Sequence, residues 1–195
     1  FVLDNLKLIK ELLNKKPLQF SYLLYSPEIE GRLASLSSIK NIFPVDPLVF
    51  KHNFPQIKTN IIAIFKYMTY DAATILSKTK KAVMIDQVSI PQNLGAIIRN
   101  AVAFNLDAVF YTKGSADIFQ PKTIRGAAGN IFQIPICELK QEDMELLKKN
   151  NLHVYILDPK KGADLKKVTI AQKALFIFGS EGHGLTSSFL KDEAI

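Results

Sequence analysis

Two stretches of this chain set glycine beside groups that could hold a polar ligand: Asn93-Leu94-Gly95-Ala96-Ile97-Ile98-Arg99-Asn100 and Phe178-Gly179-Ser180-Glu181-Gly182-His183-Gly184-Leu185. In the first, Asn93 is a good helix N-cap residue, so the helix it starts would point its positive end and free backbone donors at the end of the preceding strand. Gly95 would let another chain or a ligand approach closely. Arg99 follows Asn93 by six residues, so the two share a broad helix face without being adjacent. An arginine on an amphipathic helix is ordinarily a surface residue. Here the apolar set Leu94, Ile97, Ile98, Ala101 and Val102 occupies much of the circumference, which predicts that Arg99 is at least partly enclosed.

The second stretch is the more distinctive. Three glycines within six residues, directly after a five-residue apolar strand, allow left-handed backbone and close approach to a ligand, more than a plain tight turn needs. Glu181 within it can accept from a ribose-type hydroxyl or pair with an arginine. The glycine loop follows the last strand and fits neither a dinucleotide fingerprint nor a P-loop, which weighs against nicotinamide and ATP chemistry. A third segment, Lys122-Thr123-Ile124-Arg125-Gly126-Ala127-Ala128-Gly129-Asn130, joins two cations to small residues. It reads equally as a close-packed turn or short helix and as a surface for a phosphate backbone.

The elements that must position these residues follow from hydrophobic period. From Lys81 on, apolar strands (Ala82–Ile85, Ala108–Tyr111, Ile131–Ile136, His153–Leu157, Ala174–Phe178) alternate with helices (Leu94–Phe104, Gln141–Lys149). That alternation predicts an α/β domain with a mostly parallel sheet and helices on both faces, whose ligands sit beyond the carboxyl ends of the strands. Residues 1–68 read as a separate small α/β unit: a helix to about Leu13, a strand Phe20–Tyr25, a helix near Ile29–Ser37, and strands around Ile42–Val45 and Asn60–Tyr67. Val49–Gln56 reads as a helical turn or a loop, and residues 69–80 as a linker.

At 195 residues, 48% hydrophobic and 22% charged, the chain has the composition of an ordinary globular protein. Its apolar runs are far shorter than a membrane span, and the charged, amphipathic first segment is not a secretory signal. A single cysteine, Cys137, excludes an internal disulfide framework and points to a reducing, cytoplasmic setting; within Ile134-Pro135-Ile136-Cys137 it reads as a buried strand residue. The three histidines lack metal-ligand spacing, so no metal is expected. A net charge of +7 predicts an anionic partner, with nucleic acid the commonest. The excess of cations over anions is five in residues 1–80 and two in residues 81–195.

Taken together and in this order, Asn93-x-Gly95-x3-Arg99, Arg125-Gly126-Ala127-Ala128-Gly129 and Gly179-x-Glu181-x2-Gly184-Leu185 resemble the motifs of the SpoU (TrmH) branch of the SPOUT RNA methyltransferases. The resemblance covers Lys81 to the end of the chain; residues 1–68 resemble, less specifically, the small ribosomal-protein-like substrate-binding domain that many members carry. It implies metal-free transfer of a methyl group from S-adenosylmethionine to a ribose 2′-hydroxyl, with 23S ribosomal RNA a better candidate than tRNA. It also implies a trefoil-knotted sheet and a homodimer. Carried over by motif, Arg99 is the catalytic arginine with Asn93 and Glu181 as its partners. Gly179, Ser180, Gly182, Gly184 and Leu185 cradle the cofactor, and Lys122 and Arg125 meet RNA. A guanidinium is a poor proton acceptor at neutral pH, so Arg99 is expected to orient the 2′-hydroxyl or its neighbouring phosphate and not to act as general base.

Two departures from the family pattern matter. The closing apolar strand, Ser-Leu-Asn segment and terminal helix are expected where the chain stops at Lys191-Asp192-Glu193-Ala194-Ile195, which reads as a fragment; this supports the competing reading of a non-catalytic RNA-binding relative. Asn105 stands where members often have a glycine closing the first helix, and Asn tolerates the left-handed conformation needed there.

Overall fold

The computed structural model describes every residue apart from 14–19, 37–38, 67–68, 158–161, 181, 183 and 186–195. The chain divides into two compact units, Phe1–Met68 and Thr69–Ile195.

The first unit runs β1 (Val2–Leu3), α1 (Leu6–Leu13), β2 (Phe20–Tyr25), a 3-10 helix (Pro27–Leu36), β3 (Ile42–Pro44), α2 (Pro47–Asn53) and β4 (Ile61–Phe65). Its sheet has the order β1-β4-β2-β3, with β4 antiparallel to both neighbours and β3 parallel to β2. Period-two alternation sets the core face. Leu23 and Tyr25 pair with Ala63 and Ile61, and all four are buried. The segment left open between helical turn and loop is α2. Asp46 accepts from the Leu48 and Val49 N–H groups at 2.9 and 3.2 Å, and Pro47 occupies the first helical position, where its missing N–H costs nothing.

The second unit runs α3 (Ala72–Lys78), β5 (Lys81–Ile85), α4 (Pro91–Ala103), β6 (Ala108–Tyr111), α5 (Pro121–Gly126), a 3-10 turn (Asn130–Phe132), β7 (Ile136–Glu138), α6 (Met144–Lys149), β8 (His153–Leu157) and β9 (Ala174–Phe178). The sheet order is β7-β6-β5-β9-β8, and every pairing is parallel. Ala82, Met84, Ala108, Phe110, Leu175 and Ile177 form one face and share a core with Leu76 of α3 and Leu147 of α6. Val83, Ile85 and Val109 alternate to the other face, where α4 runs against β5 and β6. Cys137, on β7, lies in the first of these cores; its thiol donates to the Tyr70 carbonyl at 3.1 Å, and burial foremost pushes its pKa up to about 11.

Several expectations change. Residues 69–80, expected as a linker, carry α3. Asp71 caps it by accepting from the Thr74 N–H and hydroxyl at 2.8 and 2.6 Å, bonds that hold the Asp71 carboxyl below its usual range, while Leu76 is fully buried. The expected strand Ile131–Ile136 is a 3-10 turn followed by a shorter strand. Gly129 at φ 80° reverses the chain, the Asn130 and Gln133 N–H groups donate within the turn, and Pro135 has no N–H to extend a ladder. The first unit's second helix is a 3-10 helix. Asn105 does take the left-handed conformation, at φ 54°. The knotted closure lies outside the described residues. Among the described residues, no helix is long and apolar enough to cross a membrane.

Candidate functional site

The carboxyl ends of β5, β6 and β9 are tied by a short polar network. The Asp86 N–H donates to the Phe178 carbonyl at 2.8 Å, joining β5 to β9. The Asp86 carboxylate is fully buried and accepts from the Thr112 hydroxyl at 2.8 Å; that hydroxyl oxygen in turn accepts from the Gln87 N–H at 3.2 Å. Ala116 N–H donates to the Val88 carbonyl at 2.9 Å, which ties the loops after β5 and β6 together. A buried carboxylate is costly unless hydrogen-bonded, and this one is bonded where the loops diverge. Sequence reading passed over Asp86 and Thr112. The available signal was an acid ending the apolar run Ala82–Ile85.

Helix α4 leaves this network from Ile90, not from Asn93. Pro91 takes the first helical position with φ already suited to the helix, which places Asn93 third in the helix with its N–H donating to the Ile90 carbonyl at 3.1 Å. The buried residues of α4 are Leu94, Gly95, Ile98 and Ala101, a single stripe. Arg99 lies off it and is exposed, against the expectation of partial enclosure, because Ile97 and Val102 are only half-buried and do not extend the apolar surface around the helix. Asn93 is likewise exposed.

Gly95 does admit a close approach, and what approaches is α5. A Cβ there would lie 2.5 Å from the Thr123 carbonyl oxygen, 2.7 Å from the Ala127 nitrogen and 2.8 Å from the Gly126 carbonyl carbon. Gly126 completes the crossing, with its own would-be Cβ 3.4 Å from the Gly95 Cα. The Lys122–Asn130 segment is therefore a packed short helix, and its two cations, Lys122 and Arg125, are exposed on it. The packed-helix reading holds for Thr123 and Ile124, which face inward, while Lys122 and Arg125 face solvent.

The second glycine loop closes on itself at the end of β9. Ser180 and Gly184 exchange N–H···O bonds, both 2.9 Å, and Gly184 is left-handed at φ 65°. Gly179 lies where the chain passes back over itself; a Cβ would be 2.4 Å from the Gly184 carbonyl carbon. Gly182 is exposed with open space around it, and Leu185 packs half-buried on the core shared with α3. Glu181 lies outside the described residues. Among the described residues, no group of His, Cys, Asp and Glu is placed to hold a metal.

The model of the SpoU rRNA Methylase family matches residues 80–194. A 23S rRNA (guanosine(2553)-2'-O)-methyltransferase, RlmP, from Bacillus subtilis is 35% identical over 117 residues, covering 60% of this chain and 47% of that protein. The chain thus spans about half the length of the curated relatives it matches. Among solved structures, an AdoMet-bound rRNA methyltransferase from Sinorhizobium meliloti superposes with a TM-score of 0.83 at 24% identity, covering 100% of this chain and 75% of that one. The SpoU methyltransferase AviRb from Streptomyces viridochromogenes, in complex with AdoMet, gives 0.82 at 20% identity over 98% and 77%. At these identities the structural likeness speaks for the fold.

Proposed function

The chain belongs to the SpoU rRNA methylase family, and from that premise we propose that it methylates a ribose 2′-hydroxyl of structured RNA, using S-adenosylmethionine. The relative named for 2′-O-methylation of 23S rRNA supports ribosomal RNA ahead of tRNA as the substrate. The observation that carries the proposal is the family match over residues 80–194 together with the presentation of Asn93 and Arg99 to solvent on the helix that follows the central strand.

The residues present fit the cofactor. The loop after β9 is closed by the Ser180–Gly184 bridge, is free of side chains at Gly182, and adjoins the tied strand ends at Asp86 and Phe178, a location where parallel sheets bind ligands. Backbone of Gly179, Ser180, Gly182 and Gly184 would hold it, with Leu185 supplying an apolar side. S-adenosylmethionine, when bound, supplies a methyl group on a reactive sulfonium, so positioning of the acceptor accounts for much of the rate. Arg99 orients the 2′-hydroxyl or adjacent phosphate through its fixed fork of donors and stabilises developing negative charge on the attacking oxygen. Asn93 and Glu181 support it, and Lys122 and Arg125 contact the RNA backbone. Exposed Phe104, at the end of α4, and Ile90, at its start, offer apolar anchors for a second copy of the chain. A cytoplasmic setting fits such a substrate.

Calorimetric titration of S-adenosylhomocysteine into this chain and into one extended at its carboxyl terminus tests the cofactor reading: saturable binding by at least the longer chain is expected, and binding by neither would sink the proposal. Single-turnover methylation of bound RNA tests Arg99: the Arg99→Lys variant should fall about a hundredfold at unchanged thermal stability, and a full rate would remove the assigned role.

A further inference from the structure

Asp86, one residue past the end of β5, is bonded to the ends of both neighbouring strands. Its N–H donates to the Phe178 carbonyl at 2.8 Å, next to Gly179 where the glycine loop begins. Its fully buried carboxylate accepts from the hydroxyl of Thr112, just past β6, at 2.8 Å. That hydroxyl has one proton to give. With the proton committed to the carboxylate, the oxygen's lone pairs are turned to the Gln87 N–H, which donates to it at 3.2 Å. Asp86 thus sets which way the hydroxyl points, and the hydroxyl sets where Gln87 lies.

Gln87 is where the chain turns from the sheet toward α4. It holds a left-handed φ of 53°, a conformation that strains a residue with a side chain and persists only where the surroundings over-determine it. Those surroundings come from the loop after β6. Besides the Thr112 bond, Gly114, itself at φ 97°, brings that loop against the Gln87 side chain; a Cβ on Gly114 would lie 3.2 Å from Gln87 Cγ. The Ala116 N–H then holds the Val88 carbonyl. Helix α5, which meets α4 at Gly95, is tied to the same loop by the Thr123 hydroxyl donating to the Asp117 carbonyl at 2.8 Å. Both helices therefore take their direction from the loop that Thr112 anchors. Arg99 lies eight residues along α4 from Pro91, about 12 Å of helix, so a tilt of about 10° at its start moves Arg99 by about 2 Å.

We propose that Asp86, acting through Thr112, is a positioning residue for methyl transfer: the buried bond fixes the direction in which α4 leaves the sheet and so holds Arg99 at the acceptor ribose. This rests on Arg99 serving the methyl transfer proposed above. With 0% and 3% of their surface exposed, Asp86 and Thr112 have none to offer RNA and act through the helix. Apolar side chains would fill the same space without the desolvation cost of a buried carboxylate, and without fixing a direction.

The test is Thr112→Val, which keeps the shape and removes the hydroxyl, made in the chain that binds S-adenosylhomocysteine in the titration above. Hydrogen exchange over Gln87–Leu94 should quicken about tenfold while exchange over β8 is unchanged. The single-turnover rate on transcribed 23S rRNA should fall about tenfold or more with S-adenosylhomocysteine affinity within about twofold of wild type, since a misplacement of about 1 Å suffices for such a loss. Thr112→Ser, which restores the hydroxyl, should recover most of the rate and of the protection. In the Arg99→Lys background the further loss from Thr112→Val should shrink to about twofold or less, because the group whose position matters is gone. Losses that multiply in full would show a role that does not pass through Arg99 and would overturn the proposal. An unchanged rate, or exchange that quickens equally over β8 and Gln87–Leu94, would overturn it too. If Thr112→Val fails to fold, Asp86→Asn, whose carboxamide can turn a donor toward Thr112, carries the same cycle with the same outcomes. Failure of the methyltransferase reading looks different: wild type itself then binds no S-adenosylhomocysteine and transfers no methyl group, whereas failure of the positioning role leaves wild type active and Thr112→Val equal to it.

Discussion

The α4–α5 crossing and the loop after β9 look alike as sequence, each a glycine-bearing segment following a buried strand, yet glycine serves the two differently. At the crossing, Gly95 lets two helix backbones meet inside the core, between the buried side chains Leu94 and Ile98. In the loop, Gly179 lets one backbone return over itself at the surface of the sheet end, with exposed Gly182 at its crest. Comparable steric demands, 2.5 Å at Gly95 and 2.4 Å at Gly179, thus serve a helix crossing in one region and the closure of a loop, the proposed cofactor cradle, in the other. Residue type marks where backbone must come close; it does not say what comes.

Gly95→Ala breaks the comparison on the fold side and carries the largest expected effect. Alanine gains about 1 kcal/mol of helix propensity over glycine. Here it drives a Cβ into backbone atoms of Thr123, Gly126 and Ala127 that have no rotamer to escape into, so the helices must separate and the packing around Leu94 and Ile98 is lost. The net cost should be about 3 kcal/mol, read as a fall in thermal midpoint and as loss of hydrogen-exchange protection across the second unit. A variant as stable as wild type would show that the crossing yields freely.

Gly179→Ala tests the other side. Its Cβ collides with Gly184 and opens the Ser180–Gly184 bridge, but few buried groups depend on that bridge. S-adenosylhomocysteine affinity should fall about a hundredfold while the thermal midpoint drops less than for Gly95→Ala. The reverse pattern would show the loop to be part of the fold and not of a site.

Much of the scaffold was legible for a simple physical reason. Strands rich in apolar residues stand out as short runs, and β2, β6, β8 and β9 occupy the residues that such runs mark, although only β6 and β9 of these are mainly buried. What escaped is set by tertiary contact. The burial of α3 depends on Leu76 meeting the sheet, since residues 69–80 alone are short and polar enough to pass for a linker. The 3-10 turn over Asn130–Phe132 reads as strand until Pro135 and the left-handed Gly129 are weighed together. The exposure of Arg99 turns on which apolar residues of α4 find a partner. The Asp86–Thr112 bond joins residues 26 apart in sequence, a pairing no local pattern encodes.

Gly126→Ala sharpens the crossing itself. The contacts its Cβ would make, 3.1 Å to the Gln92 carbonyl oxygen and 3.4 Å to the Gln92 and Gly95 Cα atoms, need shifts of a few tenths of an ångström. That strain is comparable to the helix propensity gained, so stability should change by about 1 kcal/mol or less, against about 3 for Gly95→Ala. Equal losses would mean that the two glycines share the contact evenly.

The smallest effects separate the glycines within the loop. Gly184 holds φ 65°, where any L side chain with a Cβ is strained by about 1 kcal/mol, so Gly184→Ala should lower the thermal midpoint slightly and weaken S-adenosylhomocysteine several-fold. Gly182 has neither a left-handed φ nor a neighbour within reach of a Cβ, so for the protein alone Gly182→Ala should fall within about 0.5 kcal/mol of wild type. Its effect on binding then isolates the ligand's own demand for space. Weakened S-adenosylhomocysteine at unchanged stability would place the cofactor against the crest of the loop. Unchanged affinity would confine the cradle to the bridge between Ser180 and Gly184, with Gly182 a spacer in the turn.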